Sequence, residues 1–278
     1  MRITKDRKFI FVTARKSRDI FLSVYCTLVK KVLLSFYLIV QSLNLFAQEQ
    51  DRLTELTVDR PGIAESPFTV APRTFQLETG FDYYKRTSGE IYFLPVTLFR
   101  MGLSNNTELR ISAKNILDKT STQKLKGFSP LTVGIKTHII EQRGWIPETD
   151  ILVDLIIPLS NADLQPAKMG HDVLLLFQND LSSKAAINYN VGLIWDGFSN
   201  ESLFTASFCF NYLPTNKVGL FVEYFDFLRT KGAKEHGIDG GFTFLLWPLV
   251  QADFSAGVSW ADGSQNHFVS SGISFRIE

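Results

Sequence analysis

The sequence has few residues of the kinds that build disulfides, metal centres and catalytic sites. Cysteine occurs twice among 278 residues and histidine four times. Only Cys209 lies beyond residue 47, so the rest of the chain holds neither an intramolecular disulfide nor a cysteine cluster for a metal ion. We therefore expect no metal site and no bound cofactor.

Sequence motifs of the common enzyme classes are missing as well. No GxSxG, HExxH, Walker or dinucleotide-binding pattern occurs. His267 and Ser270 are close along the chain but fall on opposite faces of a strand, and His138 stands alone beside Lys136. We therefore expect no enzyme activity, with a membrane-embedded lipid hydrolase as the alternative.

An excess of positive charge is missing from most of the chain. The chain has 29 Lys and Arg and 28 Asp and Glu. Residues 1–47 hold nine of these basic and two of these acidic residues, so the rest of the chain holds 20 basic and 26 acidic residues. A mildly acidic body has no general electrostatic attraction for phosphates. We therefore expect no nucleic-acid partner.

Long apolar runs are missing after residue 47. The run from Val32 to Ala47 follows Lys30 and Lys31 and is about 16 residues long, shorter than the ~20 apolar residues of a spanning helix. A basic start, an apolar run and LFA before Gln48 are typical of a cleaved export signal. We assign residues 1–47 to an N-terminal extension and signal peptide, with an uncleaved anchor or a buried soluble helix as alternatives.

From residue 74 the chain alternates apolar and polar side chains with a period of two. The stretch TFQLETGFDYY shows this pattern, with polar or acidic residues between aromatic and apolar ones. Such a period indicates β-strands rather than helices. The predicted strands are 74–86, 90–101, 106–117, 129–141, 149–158, 171–181, 184–196, 202–213, 217–229, 237–247, 249–260 and 266–277.

The length of these strands indicates a membrane protein. Most have ten to fourteen residues, whereas soluble strands have ~5–6 and tilted bilayer-crossing strands ~9–11. Short connections alternate with longer polar ones, as in outer-membrane barrels. We predict that residues 74–278 form an all-β, transmembrane, antiparallel up-and-down barrel of about 12 strands with both termini in the periplasm. A soluble β-sandwich or lipocalin-like barrel, with its apolar face inward, is the alternative.

Charged side chains fall on the less apolar face of the predicted strands. In a membrane barrel this face lines the lumen, because a Lys or Arg at the middle of the lipid face costs ~2–4 kcal/mol. The predicted lumen-lining residues are Glu78, Asp82, Arg110, Lys114, Lys136, Asp154, Asp180, Glu223, Asp239, Asp253 and Arg276.

Two charged triplets that end in proline precede the first strand. They are Asp59-Arg60-Pro61 and Glu65-Ser66-Pro67, and a short Val-Pro step then leads into QLETGF. This order resembles the start of the bacterial outer-membrane family named after the meta-pathway of phenol degradation. RMGLSNNTELRI, residues 100–111, resembles the family's next step, and a weaker likeness extends over residues 57–278.

The resemblance implies a channel or transporter, since members of this family are often labelled transporters. We expect small molecules as its substrates, apolar or aromatic ones included, and the outer membrane of a Gram-negative bacterium as its location. Outer-membrane lipid and the barrel-assembly machinery are the expected partners. A non-transporting structural or surface barrel is the alternative function.

The region before the barrel is predicted to be irregular. Pro61, Pro67 and Pro72 exclude it from a sheet, because proline cannot donate to a β-ladder. We assign residues 48–73 to a segment that lies in the periplasm, caps the barrel or enters its lumen. In the lumen, Asp59, Arg60 and Glu65 would meet charges such as Arg110 or Glu108. A solvated leader is the alternative.

Overall fold

The described part of the chain folds into antiparallel β-strands. The structure, a computed structural model, describes residues 56–120, 124–229 and 234–277. A short 3₁₀ helix, Ala162–Leu164, lies between the sixth and seventh strands. The strands are β1 Phe75–Arg86, β2 Gly89–Ser104, β3 Thr107–Thr120, β4 Lys124–Phe128, β5 Leu131–Ile140, β6 Glu148–Ile157, β7 Gly170–Ser182, β8 Ala185–Trp195, β9 Leu203–Thr215, β10 Val218–Arg229, β11 Lys234–Trp247, β12 Val250–Ala261 and β13 Ser264–Ile277.

These strands close into a barrel with twelve strand positions. The first and last strands, β1 and β13, pair along their whole length and close the ring. Residues 107–112 of β3 pair with β5, whereas residues 115–119 of β3 pair with β4. Hence β4 and β5 are two halves of one position, interrupted at Ser129-Pro130, where proline lacks the N–H that a ladder needs. The predicted number of strands is confirmed.

The predicted boundaries of the fourth strand were wrong. The sequence placed residues 118–128 in a polar loop, but β3 continues to Thr120 and β4 begins at Lys124. Lys124, Leu125 and Lys126 alternate, but Gly127 ends the pattern after three residues, which is too short to indicate a strand. The pairing with the extended end of β3 makes it a strand. At β4, the pairing with β3 therefore determines the structure, although the local sequence pattern does not indicate a strand.

Connection lengths alternate less strictly than the sequence predicted. We call the end of the barrel where β1 begins and β13 ends the proximal end, and the other the distal end. Residues 87–88 and 262–263 form two-residue turns at the distal end, where longer loops were expected, and residues 141–147 form a longer proximal connection. Asp262 and Gly263 both have positive φ, 50° and 77°, which suits a tight hairpin turn.

The barrel is apolar outside and polar inside. Phe208 on β9 is 50% exposed, whereas its neighbours Ser207 and Cys209 are buried. On β10 Tyr224 is exposed and Glu223 is buried. A soluble protein shows the opposite arrangement, so the alternative of a soluble sandwich does not fit, and the outward face suits lipid. Within the described residues no helix is long and apolar enough to cross a membrane.

Replacing Phe208 by Arg should impair insertion into lipid, because the new charge would lie on the outward face and cost ~2–4 kcal/mol near the bilayer centre. The folded fraction in phospholipid vesicles, read from heat-modifiable mobility on gels, measures this effect. Phe198→Arg is the matched control, since Phe198 is exposed in the connection between β8 and β9. Equal folding of both variants would contradict the face assignment.

Candidate functional site

Residues 56–74, which we call the lumenal segment, lie inside the barrel. Most of the backbone N–H groups that bind the wall donate to its carboxylates, whereas Arg73 at the end of the segment donates to the backbone oxygen of Gly102 on β2 at 3.1 Å. Glu78 on β1 accepts from Asp59 and Arg60, both at 3.1 Å. Glu223 on β10 accepts from Ile63 and Ala64, and Glu108 on β3 accepts from Val70 at 2.6 Å. The prolines prevent the segment from adding a strand to the sheet. Buried carboxylates of the wall accept from its backbone N–H groups instead.

Asp59 is the centre of the largest ion-pair cluster among the described residues. Its carboxylate lies 2.6 Å from Arg110 Nη1, 2.9 Å from Lys136 Nζ and 3.2 Å from Arg100 Nη1. It also accepts from the Ser66 hydroxyl at 2.8 Å. Burial alone would raise the pKa of the Asp59 carboxyl, but Arg100, Lys136 and Arg110 hold that pKa well below its ordinary value. Asp59 is therefore an anion shared by three cations from β2, β3 and β5.

Arg60 lies across the seam at which β1 and β13 pair and close the barrel. Its guanidinium lies 3.4 Å from Asp253 on β12 and donates to Ser270 on β13 at 2.8 Å. Gly80 on β1 and Gly272 on β13 face each other directly beneath the guanidinium. A Cβ on Gly272 would approach Arg60 Nε to 2.5 Å, so the close approach requires glycine there.

Glu65 contacts the same cluster from the other side. Its carboxylate lies 2.8 Å from Arg110 Nη2, and its backbone oxygen accepts from Asn190 on β8 at 3.1 Å. Burial raises the pKa of the Glu65 carboxyl to about 7, against the lowering effect of Arg110. The lumenal segment therefore has contacts on opposite sides of the lumen.

The remaining predicted lumen residues border cavities or contact one another. Glu78, Asp82, Arg110, Lys114, Asp154 and Asp239 border the distal cavity described below, and Asp180 borders the proximal one. Arg276 donates to Gln76 at 3.3 Å, within the buried proximal part of the wall. The structure brings Arg110, Lys136, Glu78, Glu223 and Asp253 against the lumenal segment. Whether a permeating molecule touches these side chains stays a prediction.

Arg100 was missing from the predicted set although it is fully buried. It donates to Glu108 at 2.9 Å, to Glu78 at 3.0 Å and to the backbone oxygens of Thr57 and Phe68. Glu108 was expected to be a lumen charge, and it lies on the same face of β3 as Arg110 two residues later. Arg100 itself was hidden by a register shift between Phe93 and Val96.

Two cavities meet at the lumenal segment. A distal cavity of about 520 Å³ and a proximal cavity of about 910 Å³ are both bordered by residues 59–62. Amide side chains of Gln142, Gln178, Asn188 and Asn211 line the proximal cavity. Five aromatic side chains line the distal cavity, and we call them the aromatic wall: Tyr84, Phe93, Phe225, Phe227 and Phe268.

The histidines do not form a catalytic group with a nucleophile in the contacts that the structure gives. His138 Nδ1 lies 2.8 Å from Asp150 and 3.3 Å from Glu148, both on β6. His267 is exposed whereas Ser270 is buried, so the two point to opposite faces of β13 as predicted. No group of His, Cys, Asp and Glu in the described residues could hold a metal ion.

Replacing Asp59 by Asn should destabilise the folded barrel strongly. The variant leaves Arg100, Arg110 and Lys136 buried with one anion fewer, and breaking such a buried pair costs ~3–5 kcal/mol. Guanidinium unfolding in lipid vesicles would measure the loss as a lower midpoint. Asp163→Asn, in an exposed connection, is the control, and an equal midpoint for both variants would contradict the proposed importance of the cluster.

One solved structure shares the fold of this chain, and two others are weaker likenesses. The COG4313 outer membrane channel from Pseudomonas putida F1 is 11% identical, over 78% of this chain and 99% of that chain, with a TM-score of 0.59. The KdgM porin is 7% identical, over 72% of this chain and 99% of that chain, with a TM-score of 0.48. The CymD monoaromatic hydrocarbon channel is 10% identical, over 74% and 88% of the two chains, with a TM-score of 0.43. The first likeness supports an outer-membrane type of barrel.

Sequence comparison identifies the family. No curated protein sequence matches the chain. A family model described as "Putative MetA-pathway of phenol degradation" matches residues 58–277, a range that contains nearly all of the lumenal segment and every described strand. The resemblance at the two proline-ended triplets is thereby confirmed, and the chain belongs to this family.

Proposed function

We propose that this protein is an outer-membrane channel for small molecules and that the lumenal segment sets the width of its pore. One observation carries the proposal: inside a closed barrel, a distal and a proximal cavity meet at residues 59–62. A molecule that crosses the barrel through its lumen has to pass these residues. Twelve strands also lie between barrels that side chains fill and wide porins.

The proposal includes export and orientation. A signal peptide within residues 1–47 would direct the chain to the periplasm, but these residues lie outside the described part of the structure. The barrel-assembly machinery would then insert the barrel into outer-membrane lipid with the proximal end toward the periplasm. In that orientation the aromatic wall lies toward the cell surface, and the amide-lined cavity opens toward the periplasm.

The linings of the two cavities favour small molecules with an apolar or aromatic part. Aromatic side chains present a large apolar surface to a ligand in the distal cavity. Neutral amides in the proximal cavity offer hydrogen bonds to a polar group, beside charged side chains that include Glu141, Asp180 and Lys184. We therefore keep small apolar or aromatic molecules as the substrate class.

A barrel that transports nothing is the second candidate, and the filled lumen favours it. The lumenal segment is held by Asp59, Arg60 and Glu65 to wall residues on several strands, and such a network resists displacement. An enzyme is the least favoured class, because no nucleophile accompanies His138 and Asp150 in the described contacts.

Deleting residues 57–70 should raise the single-channel conductance severalfold, because the narrowest part of the lumen would be removed. The measurement is made in planar lipid bilayers on protein that shows the heat-modifiable mobility of a folded barrel. A second variant keeps the segment but weakens its attachment, because Arg60→Ala removes the contacts of the guanidinium and Glu223→Gln replaces one of the two acceptor oxygens by an NH₂ group. It should switch between a low and a high conductance level.

Lys168→Ala is the control for the loss of a charge, since Lys168 lies in an exposed connection, and it should conduct like the wild type. A folded deletion variant with the wild-type conductance would show that the segment does not limit the pore. A folded deletion variant without any conductance would favour the non-transporting barrel.

A further inference from the structure

The aromatic wall is a continuous chain of rings. Tyr84 stacks on Phe268 with the ring centres 5.5 Å apart and meets Phe93 edge to face at 5.7 Å. Phe268 contacts Phe225 at 6.0 Å, and Phe225 contacts Phe227 at 5.7 Å. Such offset and edge-on pairs are the favoured geometries of aromatic side chains. The rings therefore form one surface across β10, β13, β1 and β2.

Two carboxylates stand beside this surface in the same row of the sheet. Glu223 on β10 pairs with Asp239 on β11, Asp239 pairs with Gly257 on β12, and Gly257 pairs with Phe268 on β13. A Cβ on Gly257 would collide with the ring of Phe268 and with the side chain of Asp239. The absence of a side chain at residue 257 thus brings an aromatic ring next to a carboxylate.

The two carboxylates lack a cation of their own. Asp239 is 3% exposed, and its Oδ1 has no hydrogen-bond partner among the residues that the structure describes. In the same residues, neither Asp239 nor Glu223 forms an ion pair with Lys or Arg, although Glu223 accepts from the backbone of the lumenal segment. Buried negative charge without a counter-charge is costly, so this pair favours a bound cation or a shared proton.

Two cations of the distal cavity are already engaged by other carboxylates. Arg60 contacts Asp82 and Asp253, and Arg110 contacts Asp59 and Glu65.

Two further charged side chains of the distal cavity, Lys114 and Glu235, also have partners. Lys114 lies over the ring of Phe93 at 5.7 Å, which shows that this wall accommodates a cation. Glu235 accepts from Ser259 at 2.6 Å. The Asp239 side chain hydrogen-bonds to Glu223, but its Oδ1 has no partner among the described residues, so this oxygen is available to a ligand that enters the cavity.

We propose that the distal cavity contains a binding subsite for a small aromatic ammonium ion, with the ammonium at Asp239 and the aromatic body against Phe225, Phe268 and Tyr84. This inference rests on the proposed channel function and names the class of molecule that the channel would select. A charge-assisted hydrogen bond to a buried carboxylate is stronger than a neutral one, and a neighbouring ring adds cation–π attraction. A cavity of about 520 Å³ falls in the range of small-molecule sites.

Titration calorimetry of the folded protein in detergent micelles tests the subsite with benzylammonium as the probe. Benzyl alcohol has nearly the same shape without the charge, benzoate has the opposite charge, and methylammonium lacks the ring. Benzylammonium should bind at least about tenfold more tightly than each of these three, because only it uses both the carboxylate and the wall. Benzyl alcohol binding as tightly as benzylammonium would overturn the inference.

Variants separate the two parts of the subsite. Asp239→Asn should weaken benzylammonium binding about tenfold and leave benzyl alcohol unchanged, whereas Asp163→Asn in an exposed connection should change neither. Phe268→Leu should weaken benzylammonium more than methylammonium, because only benzylammonium also loses the contact between its ring and Phe268, and this variant carries the test if Asp239→Asn fails to fold. Unchanged benzylammonium affinity in a folded Asp239→Asn or Phe268→Leu variant would contradict the site.

The binding experiment is independent of conduction. Benzylammonium that binds as described, together with a deletion variant whose conductance is unchanged, would refute the pore-limiting role and retain the subsite. Increased conductance after the deletion, together with equal affinities for benzylammonium and methylammonium, would refute the aromatic subsite and retain the channel.

Discussion

The need to compensate buried charge inside a closed barrel is the constraint on which the other features depend. Arg100, Arg110 and Lys136 come from neighbouring strand positions and point into the same part of the lumen. Glu78 and Glu108 on the wall compensate only two of these three positive charges, so the cluster needs a further anion in a region with little water. Asp59 supplies a further negative charge, and Asp59 belongs to the lumenal segment rather than to the wall. The barrel and the segment are therefore one electrostatic unit.

The same carboxylates also solve a backbone problem. A chain with prolines cannot add a strand to the sheet, yet its N–H groups need partners once they leave water. Glu78, Glu108 and Glu223 each accept backbone N–H groups, and the first two also pair with Arg100. Buried ion pairs add little net stability compared with apolar packing, but they strongly disfavour arrangements that leave one partner alone. This network therefore specifies where the segment lies.

The sequence predicts the barrel well because a period of two persists over almost every strand. It fails at β4, where Gly127 ends the alternation after only three residues, and at β2, where a bulge changes the face. Ile91 and Phe93 point inward before the bulge, whereas Leu98 and Arg100 do so after it. A strict alternation therefore hides Arg100, the most highly connected cation of the cluster.

The position of the lumenal segment is harder to predict from the sequence than the strands of the wall are. The sequence left periplasm, barrel mouth and lumen open as places for residues 48–73, because prolines exclude a sheet but select no alternative. Only the distances between Asp59 or Glu65 and charges on distant strands determine the place. Those distances depend on how twelve strand positions bring remote residues together, and no local pattern contains them.

The glycine pair beneath Arg60 also bears on the order of assembly. Gly80 and Gly272 belong to the first and last strands, which meet only when the ring closes. Arg60 contacts both of these strands, and its partner Asp253 lies one strand further on. Its complete binding place therefore does not exist in a partly assembled sheet. The contacts of Arg60 are therefore complete only after β1 and β13 have paired, so this arginine links closure of the barrel to the position of the lumenal segment.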